Sequence, residues 1–153
     1  MSPEGKADRH TLVVDYELPA APEKVWRALT ESDLLSRWLM PNDMRAEVGH
    51  AFTFRLEPAP DPGNGWDGVV HCEVLEVEPG RRLRYTWRSD STEAATRLDT
   101  VVTWTLKALD DGGTRLRLEQ SGFRPENGRA YAGVEAGWRG WLAQRLREVV
   151  EGL

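Results

Sequence analysis

The sequence predicts an α+β fold in which a curved antiparallel sheet of about seven strands wraps around one long C-terminal helix. The first observation is the stretch from Gly128 to Leu153, where apolar residues recur at helical spacing on one broad arc that includes two tryptophans. The second is that most of the chain before it alternates apolar and polar residues over short segments, as half-buried strands do. A long amphipathic helix must be covered, and a sheet that is apolar on one face provides that cover.

The N-terminal part of the chain predicts one strand and two short helices. Thr11 to Leu18 alternates regularly, which is typical of a half-buried strand. Pro22 suits the first turn of a helix, where its missing N–H costs nothing, and Glu23 to Leu29 supplies an apolar stripe. A second helix is predicted from Asp33 to Leu39, and Pro41 follows it as a stop signal.

Six further strands are predicted between the short helices and the last helix. They are Met44 to Val48, Ala51 to Leu56, Trp66 to Val77, Arg82 to Arg88, Leu98 to Leu106 and Arg115 to Gln120. In the third of them the apolar positions change face near Val74, which indicates a β-bulge. Turn residues separate the strands, among them a long loop from Pro58 to Gly65 and a hairpin signal from Asp110 to Gly113.

Length and composition predict a single domain, residues 11–153, that follows a flexible N-terminal tail, residues 1–10. The formal net charge of −5 argues against a nucleic-acid partner, which would need a concentrated basic face. The lone Cys72 excludes an internal disulfide and fits a reducing compartment. The sequence shows neither the apolar core of a secretory signal nor an apolar run long enough to cross a bilayer. We therefore expect a cytoplasmic protein without membrane insertion.

The sequence offers little for a metal site or for nucleophilic catalysis. His71 and Cys72 are adjacent on a predicted strand, so their side chains point to opposite faces and cannot bind one ion together. His10 and His50 have no partner at helical or hairpin spacing. No nucleophile elbow, Cys–His signature or phosphate-binding glycine loop occurs. We predict no metal, no cofactor and no catalytic residue.

Four polar side chains occupy inward positions of the predicted strands, namely Tyr16, Tyr85, Thr100 and Gln120. Two interpretations of them stay open. Each satisfies a partner inside the core, as most buried polar groups do. Alternatively, they orient or activate a substrate, as a few polar groups do in catalytic cavities.

The face of the last helix opposite its apolar arc carries small residues at helical spacing: Gly133, Ala136, Gly140 and Ala143, with Gly137 at the edge. Glycine inside a helix costs about 1 kcal/mol relative to alanine, so three glycines need a reason. A bent helix start beside a cavity mouth is one reason. Close approach of a second chain in a homodimer is another, and tolerance in an overdetermined fold is a third.

Several short sequence signals follow one another in a characteristic order from Thr11 onward. They are Pro22 to Thr30 (PEKVWRALT), Trp38 with Pro41, Val48 and Gly49 before Phe52, Glu73 to Trp87 (EVLEVEPGRRLRYTW), Thr103 to Leu106 (TWTL), and Gly137 with Trp138. Their order and spacing resemble the START-like helix-grip superfamily (SRPBCC), and within it the bacterial relatives of the activator of the heat-shock-protein-90 ATPase. The resemblance implies one strand, two helices, six strands and a final helix, with a cavity between the sheet and that helix.

The chain departs from the family pattern at two places, both of which lie near the cavity mouth in the family. Leu39 and Met40 stand where relatives often have Trp-Gly, and His50 stands where a second glycine is common.

The resemblance and the inward positions predict a cavity that holds a hydrophobic or aromatic small molecule, lipid-like or polyketide-like, without catalysis. Two alternatives stay open: a cyclase- or dehydratase-type enzyme that uses the same cavity, and a chaperone-associated module of the stress response. The residues expected to line the cavity are Trp38, Met40, Phe52, Phe54, Tyr85, Trp87, Thr100, Val102, Gln120, Val134 and Trp138.

Overall fold

A computed structural model describes residues 11–56 and 65–153 of the chain. The predicted tail, residues 1–10, and residues 57–64, which make up most of the predicted long loop, lie outside the described residues. The elements are β1 (Thr11–Leu18), α1 (Pro22–Thr30), α2 (Ser32–Trp38), β2 (Ala51–Arg55), β3 (Val69–Glu78), β4 (Arg82–Ser89), β5 (Leu98–Ala108), β6 (Thr114–Ser121), a 3-10 helix (Pro125–Asn127), α3 (Gly128–Arg139) and α4 (Trp141–Glu151).

The six strands form one curved antiparallel sheet in the order β1-β6-β5-β4-β3-β2. Burial alternates along β4, β5 and β6, because successive side chains point to opposite faces of a sheet. In the centre of the sheet, Tyr85 is paired with Val102, and Trp87 is paired with Thr100. All four side chains are buried, so the predicted inward phase of these two strands is confirmed.

The sheet has six strands where about seven were predicted, because Met44 to Val48 does not form a strand. This part of the chain joins the sheet through an isolated bridge between Asn42 and Phe54 and through a hydrogen bond from Thr53 N to Asp43 Oδ1. The Asn42 side chain provides a physical reason, since its Oδ1 accepts from Met44 N at 3.0 Å and its Nδ2 donates to Met40 O at 2.9 Å. Such local side-chain bonds compete with a strand ladder. The predicted bulge is confirmed by a register shift between Val74 and Glu76.

The predicted single C-terminal helix is in fact two helices, α3 and α4, that are separated at Gly140. Gly140 has φ −101° and ψ −113°, which lie outside the helical region. A Cβ at this position would lie 2.7 Å from the carbonyl oxygen of Ala136, so the interruption requires glycine. One glycine of the small-residue stripe therefore marks a break in the middle of the stretch, and not a bent helix start, the first of the three reasons considered.

The core lies between the sheet and the two C-terminal helices. The helices contribute Trp138, Leu142, Leu146 and Val150, all of which are buried against the strands. On the far side, α1 and α2 pack against α4. The helices thus lie across the apolar face of the sheet.

Candidate functional site

A cavity of about 290 Å³ lies where β4 ends and β5 begins, between these strands and α3. Residues after α2, from the start of α4 and from both sides of residues 57–64 complete its wall. The residues that line it are Leu39, Met40, Leu56, Trp66, Trp87, Ser89, Thr96, Leu98, Ala130, Gly133, Val134, Gly137, Trp138, Trp141 and Leu142.

The helix α3 presents small residues to this cavity. Ala130, Gly133 and Gly137 recur at i, i+3 and i+7, so they share one face of the helix. A Cβ built at Gly133 meets no described atom within 4 Å, and a Cβ at Gly137 meets the Leu142 side chain at an ordinary 3.5 Å. These two glycines are therefore not required for a close contact. Their missing side chains keep the volume open, which accounts for them without a second chain.

Aromatic rings form the inner wall of the cavity. Trp87 and Trp138 both line it, and their ring centroids lie 5.6 Å apart in an edge-on arrangement. Behind them, Trp104 lies 5.5 Å from Trp138, and Phe54 lies 5.4 Å from Trp87. Offset and edge-on contacts of this kind add to the stability that ring burial provides. The wall is therefore a packed aromatic cluster with a fixed geometry.

A chain of buried hydrogen bonds holds this wall in place. Tyr16 Oη donates to the carbonyl oxygen of Trp138 at 2.7 Å, and Trp138 Nε1 donates to Gln120 Oε1 at 3.0 Å. Gln120 Nε2 donates to Thr100 Oγ1 at 3.0 Å, and Thr100 Oγ1 donates to the carbonyl oxygen of Trp87 at 2.8 Å. The chain links β1, β6, β5 and β4 to α3, and it holds the backbone of Trp87 and the ring and backbone of Trp138, the two tryptophans of the inner wall.

The fourth inward polar side chain, Tyr85, accepts a hydrogen bond from Trp104 Nε1 at 2.9 Å. Burial raises the pKa values of Tyr85, Tyr16 and the Cys72 thiol well above their ordinary values, because the charged forms would lose their hydration. All four inward polar side chains therefore have partners in the core, as the first interpretation predicts. Neither buried phenol exchanges a proton near neutral pH.

The two histidines of the described part lie away from the cavity. His50 Nε2 lies 2.9 Å from the carbonyl oxygen of Asp43, and its ring stacks on Phe52. His71 Nε2 lies 3.6 Å from Asp90 Oδ2, and both side chains are exposed. Among the described residues, no acidic, basic or thiol side chain lines the cavity.

The described residues contain neither a metal-ligand cluster nor a membrane-crossing helix. No three His, Cys, Asp or Glu side chains in that part of the chain are grouped as they would be around a metal ion. None of its helices is both long enough and apolar enough to cross a membrane.

One rim of the cavity is a hydrogen-bonded loop between β4 and β5. Ser91 Oγ donates to the carbonyl oxygen of Gly65 at 2.9 Å, which joins this loop to the segment that precedes Trp66. The buried Asn127 donates from Nδ2 to the carbonyl oxygens of Ala94 and Arg97, each at 2.9 Å. The loop that carries Thr96 is thus tied to the start of α3.

The structure places the eleven residues expected at the cavity in two layers. Four of them lie on its wall: Met40, Trp87, Val134 and Trp138. The other seven are buried in the core behind or beside that wall: Trp38, Phe52, Phe54, Tyr85, Thr100, Val102 and Gln120. The inward phase of a strand identifies burial, but it does not indicate how far along the strand the packed core ends and the cavity begins.

Sequence reasoning missed the residues at the open end of the cavity. Leu98 and Ser89 are cross-strand partners one step beyond the pair formed by Trp87 and Thr100, so the same inward phase extends to them. Gly133 and Gly137 could have been identified as cavity residues from the sequence. Glycines on one helix face permit bending, but they also leave space beside the helix. Trp66 follows the loop segment and carried no such signal.

Comparisons with solved structures agree with this architecture. The chain is similar to protein MLL2253 from Mesorhizobium loti, with 42% sequence identity, a TM-score of 0.83, and coverage of 93% of this chain and 97% of that chain. It is similar to DynU16, a protein of the dynemicin biosynthetic locus, with 26% identity, a TM-score of 0.72, and coverage of 93% of this chain and 47% of that chain. The Aha1 dimer from Colwellia psychrerythraea shares the fold at 19% identity, with a TM-score of 0.72 and coverage of 92% and 96%.

No curated protein matches this chain. The model of one protein family, described as Activator of Hsp90 ATPase homolog 1-like protein, matches residues 19–151. That match spans both short helices, five of the six strands and both C-terminal helices. The chain therefore belongs to the family of Activator of Hsp90 ATPase homolog 1-like proteins.

Proposed function

We propose that this protein binds a compact hydrophobic or aromatic molecule in the cavity beneath α3 and does not transform it. The observation that carries the proposal is the chemistry of the wall. Aromatic, aliphatic and glycine residues make up almost all of it, and its two polar side chains, Ser89 and Thr96, have hydrogen-bond partners in the protein. Small-molecule sites are typically concave and apolar, with few polar groups.

The size of the cavity indicates what kind of molecule it suits. Its volume of about 290 Å³ lies just below the usual range for ligand sites, which is about 300–1,000 Å³. Aromatic ligands suit a wall that contains Trp87 and Trp138, because aromatic rings attract one another in offset and edge-on arrangements. A small ring system fits these properties better than a long acyl chain does.

The enzyme alternative requires a group that can exchange protons with the substrate. General acid–base catalysis needs a titratable side chain within hydrogen-bond reach of the reacting atoms. The described wall of the cavity has no such side chain, and burial keeps the Tyr16 and Tyr85 phenols protonated. The chaperone-associated alternative, which the family description suggests, makes no use of the cavity. Binding is the function that the geometry supports best.

Native mass spectrometry of protein purified from its own host tests this proposal. Wild-type protein is expected to retain a small molecule. A leucine in place of Gly133 would extend from the cavity mouth into open space, so Gly133→Leu is expected to carry none. The matched control is Ala132→Leu, which adds the same side chain at an exposed neighbouring position of α3. Equal loading of Gly133→Leu and wild type would contradict the proposal.

A further inference from the structure

One buried tryptophan differs from the others in its hydrogen bonding. Four tryptophans are buried: Trp38, Trp87, Trp104 and Trp138. The indole N–H of Trp38 donates to Ala28 O at 2.9 Å, and those of Trp104 and Trp138 also have acceptors in the core. The indole N–H of Trp87 has no acceptor among the described residues, although only 6% of this residue is exposed. A buried donor without an acceptor is rare in native proteins and calls for an explanation.

The Trp87 nitrogen is in contact with accessible space. In the described part of the chain, the fully enclosed side-chain nitrogens without a hydrogen-bond partner are Nε of Arg82, which forms an ion pair with Glu76, and Nε of Arg84. The Trp87 nitrogen is unpaired but is not one of them, so it is not fully enclosed. Since Trp87 is almost entirely buried and borders the cavity, the cavity is the space that its N–H meets.

No described residue of the cavity wall accepts a hydrogen bond from this N–H. Ser89 Oγ donates to the carbonyl oxygen of Thr96 and accepts from Leu98 N, both at 2.9 Å. The Trp87 ring cannot easily turn toward another partner, because it is packed against Phe54 and Trp138. Its backbone is also held, since its carbonyl oxygen accepts from Thr100 Oγ1. The donor is therefore fixed and unpaired.

We infer that the ligand presents a neutral oxygen acceptor, a ketone, phenol or ether oxygen on a flat apolar ring system, to the Trp87 indole N–H. A carboxylate is disfavoured, because no cationic side chain in the described part of the chain lines the cavity and an unpaired buried charge is costly. A hydrocarbon would leave the donor unpaired after displacing water from the cavity. This inference rests on the proposed binding function and adds the chemistry by which the ligand is selected.

The test compares two ring systems that differ in one group: tetralin, a hydrocarbon, and α-tetralone, which carries a ketone on the same rings. Calorimetric titration of wild-type protein is expected to show binding of α-tetralone about tenfold tighter than binding of tetralin, the size of one net hydrogen bond. In Trp87→Phe, which keeps an aromatic ring and loses the N–H, the two affinities are expected to become equal.

A second measurement on the wild-type protein does not depend on how that variant folds. In protein labelled with nitrogen-15 at tryptophan, the assigned Trp87 indole N–H resonance should move downfield with α-tetralone and much less with tetralin. The Trp104 and Trp138 resonances, whose protons are already bonded in the core, serve as internal controls. Equal binding of both compounds with an unmoved Trp87 resonance would overturn this inference and leave the binding function standing. Failure of both compounds to bind would overturn both.

Discussion

The Tyr16 hydroxyl donates a 2.7 Å hydrogen bond to the backbone carbonyl of Trp138. This carbonyl belongs to the last turn of α3, where helix carbonyls have no partner within the helix. The bond therefore caps the interrupted helix from strand β1, and it anchors the residue that forms the inner wall of the cavity.

We predict that Tyr16→Phe lowers the free energy of unfolding by about 1–3 kcal/mol, because it leaves a buried carbonyl without a donor. Denaturant titration measures this loss. The matched control is Tyr131→Phe, since Tyr131 is only half-buried and packs through its ring against Phe123. Its loss should stay within about 0.5 kcal/mol. Equal effects of the two substitutions would show that the Tyr16 bond contributes nothing specific.

Trp138→Ala should lower the free energy of unfolding by about 3–5 kcal/mol, the usual cost of truncating a large buried aromatic side chain. Trp138 is 1% exposed and contacts three other tryptophan rings, whereas Trp141 is 53% exposed. Trp141→Ala, at the cavity rim, should therefore cost far less in the same denaturant titration. A loss below about 1 kcal/mol for Trp138→Ala would mean that this ring borders an open cavity without packing.

Gly133→Ala and Gly140→Ala should change stability in opposite directions. At Gly133 the new methyl group meets no described atom within 4 Å, so the gain in helix propensity, about 0.5–1 kcal/mol, should appear as added stability. At Gly140 the methyl group would lie 2.7 Å from the Ala136 carbonyl oxygen, and destabilisation by about 1–3 kcal/mol is expected. Thermal and denaturant unfolding of the two variants measure the difference. Stabilisation by Gly140→Ala would show that the interruption of the helix is not required.

Stability should fall at alkaline pH because burial raises the pKa values of Tyr16 and Tyr85. Below pH about 10, the ordinary tyrosine value, both phenols are protonated in the folded and unfolded states, and they give no pH dependence. Above it the unfolded phenols ionise while the folded ones do not, so unfolding becomes more favourable as the pH rises. Tyr85→Phe should reduce the slope of unfolding free energy against pH in this range. Absorbance of these two tyrosinates in still-folded protein would contradict the assignment.

The sequence predicted the fold well because strand phase and helix spacing are local patterns. Two features depended on interactions that a periodic pattern does not contain. The Asn42 side chain bonds to the backbone on both sides of it, which replaces the predicted strand at Met44 to Val48. The helix break at Gly140 is accompanied by a long-range contact, the hydrogen bond from the Tyr16 hydroxyl to the carbonyl oxygen of Trp138.

The cavity was harder to predict than the core. Apolar inward residues such as Val102 and Trp87 look alike in the sequence, yet Val102 lies in the packed core and Trp87 borders the cavity. The difference arises from what lies opposite, since α3 presents Gly133 and Gly137 to the open end of the sheet. The position of a cavity is set by missing volume on a neighbouring element, and single-strand patterns do not reveal it.

The most direct test of the central claim is a titration of tryptophan fluorescence with α-tetralone, followed by recovery and analysis of the compound. Wild-type protein and Ala132→Leu should show saturable quenching, because Trp87 and Trp138 border the cavity, and the compound should be recovered unchanged. Gly133→Leu should bind at least about tenfold more weakly, a loss of about 1.4 kcal/mol. Equal quenching in all three proteins would contradict binding in this cavity. Chemical conversion of α-tetralone by the wild-type protein would contradict the binding account. If His50→Ala or His71→Ala abolished that conversion while the protein stayed folded, the protein would be an enzyme.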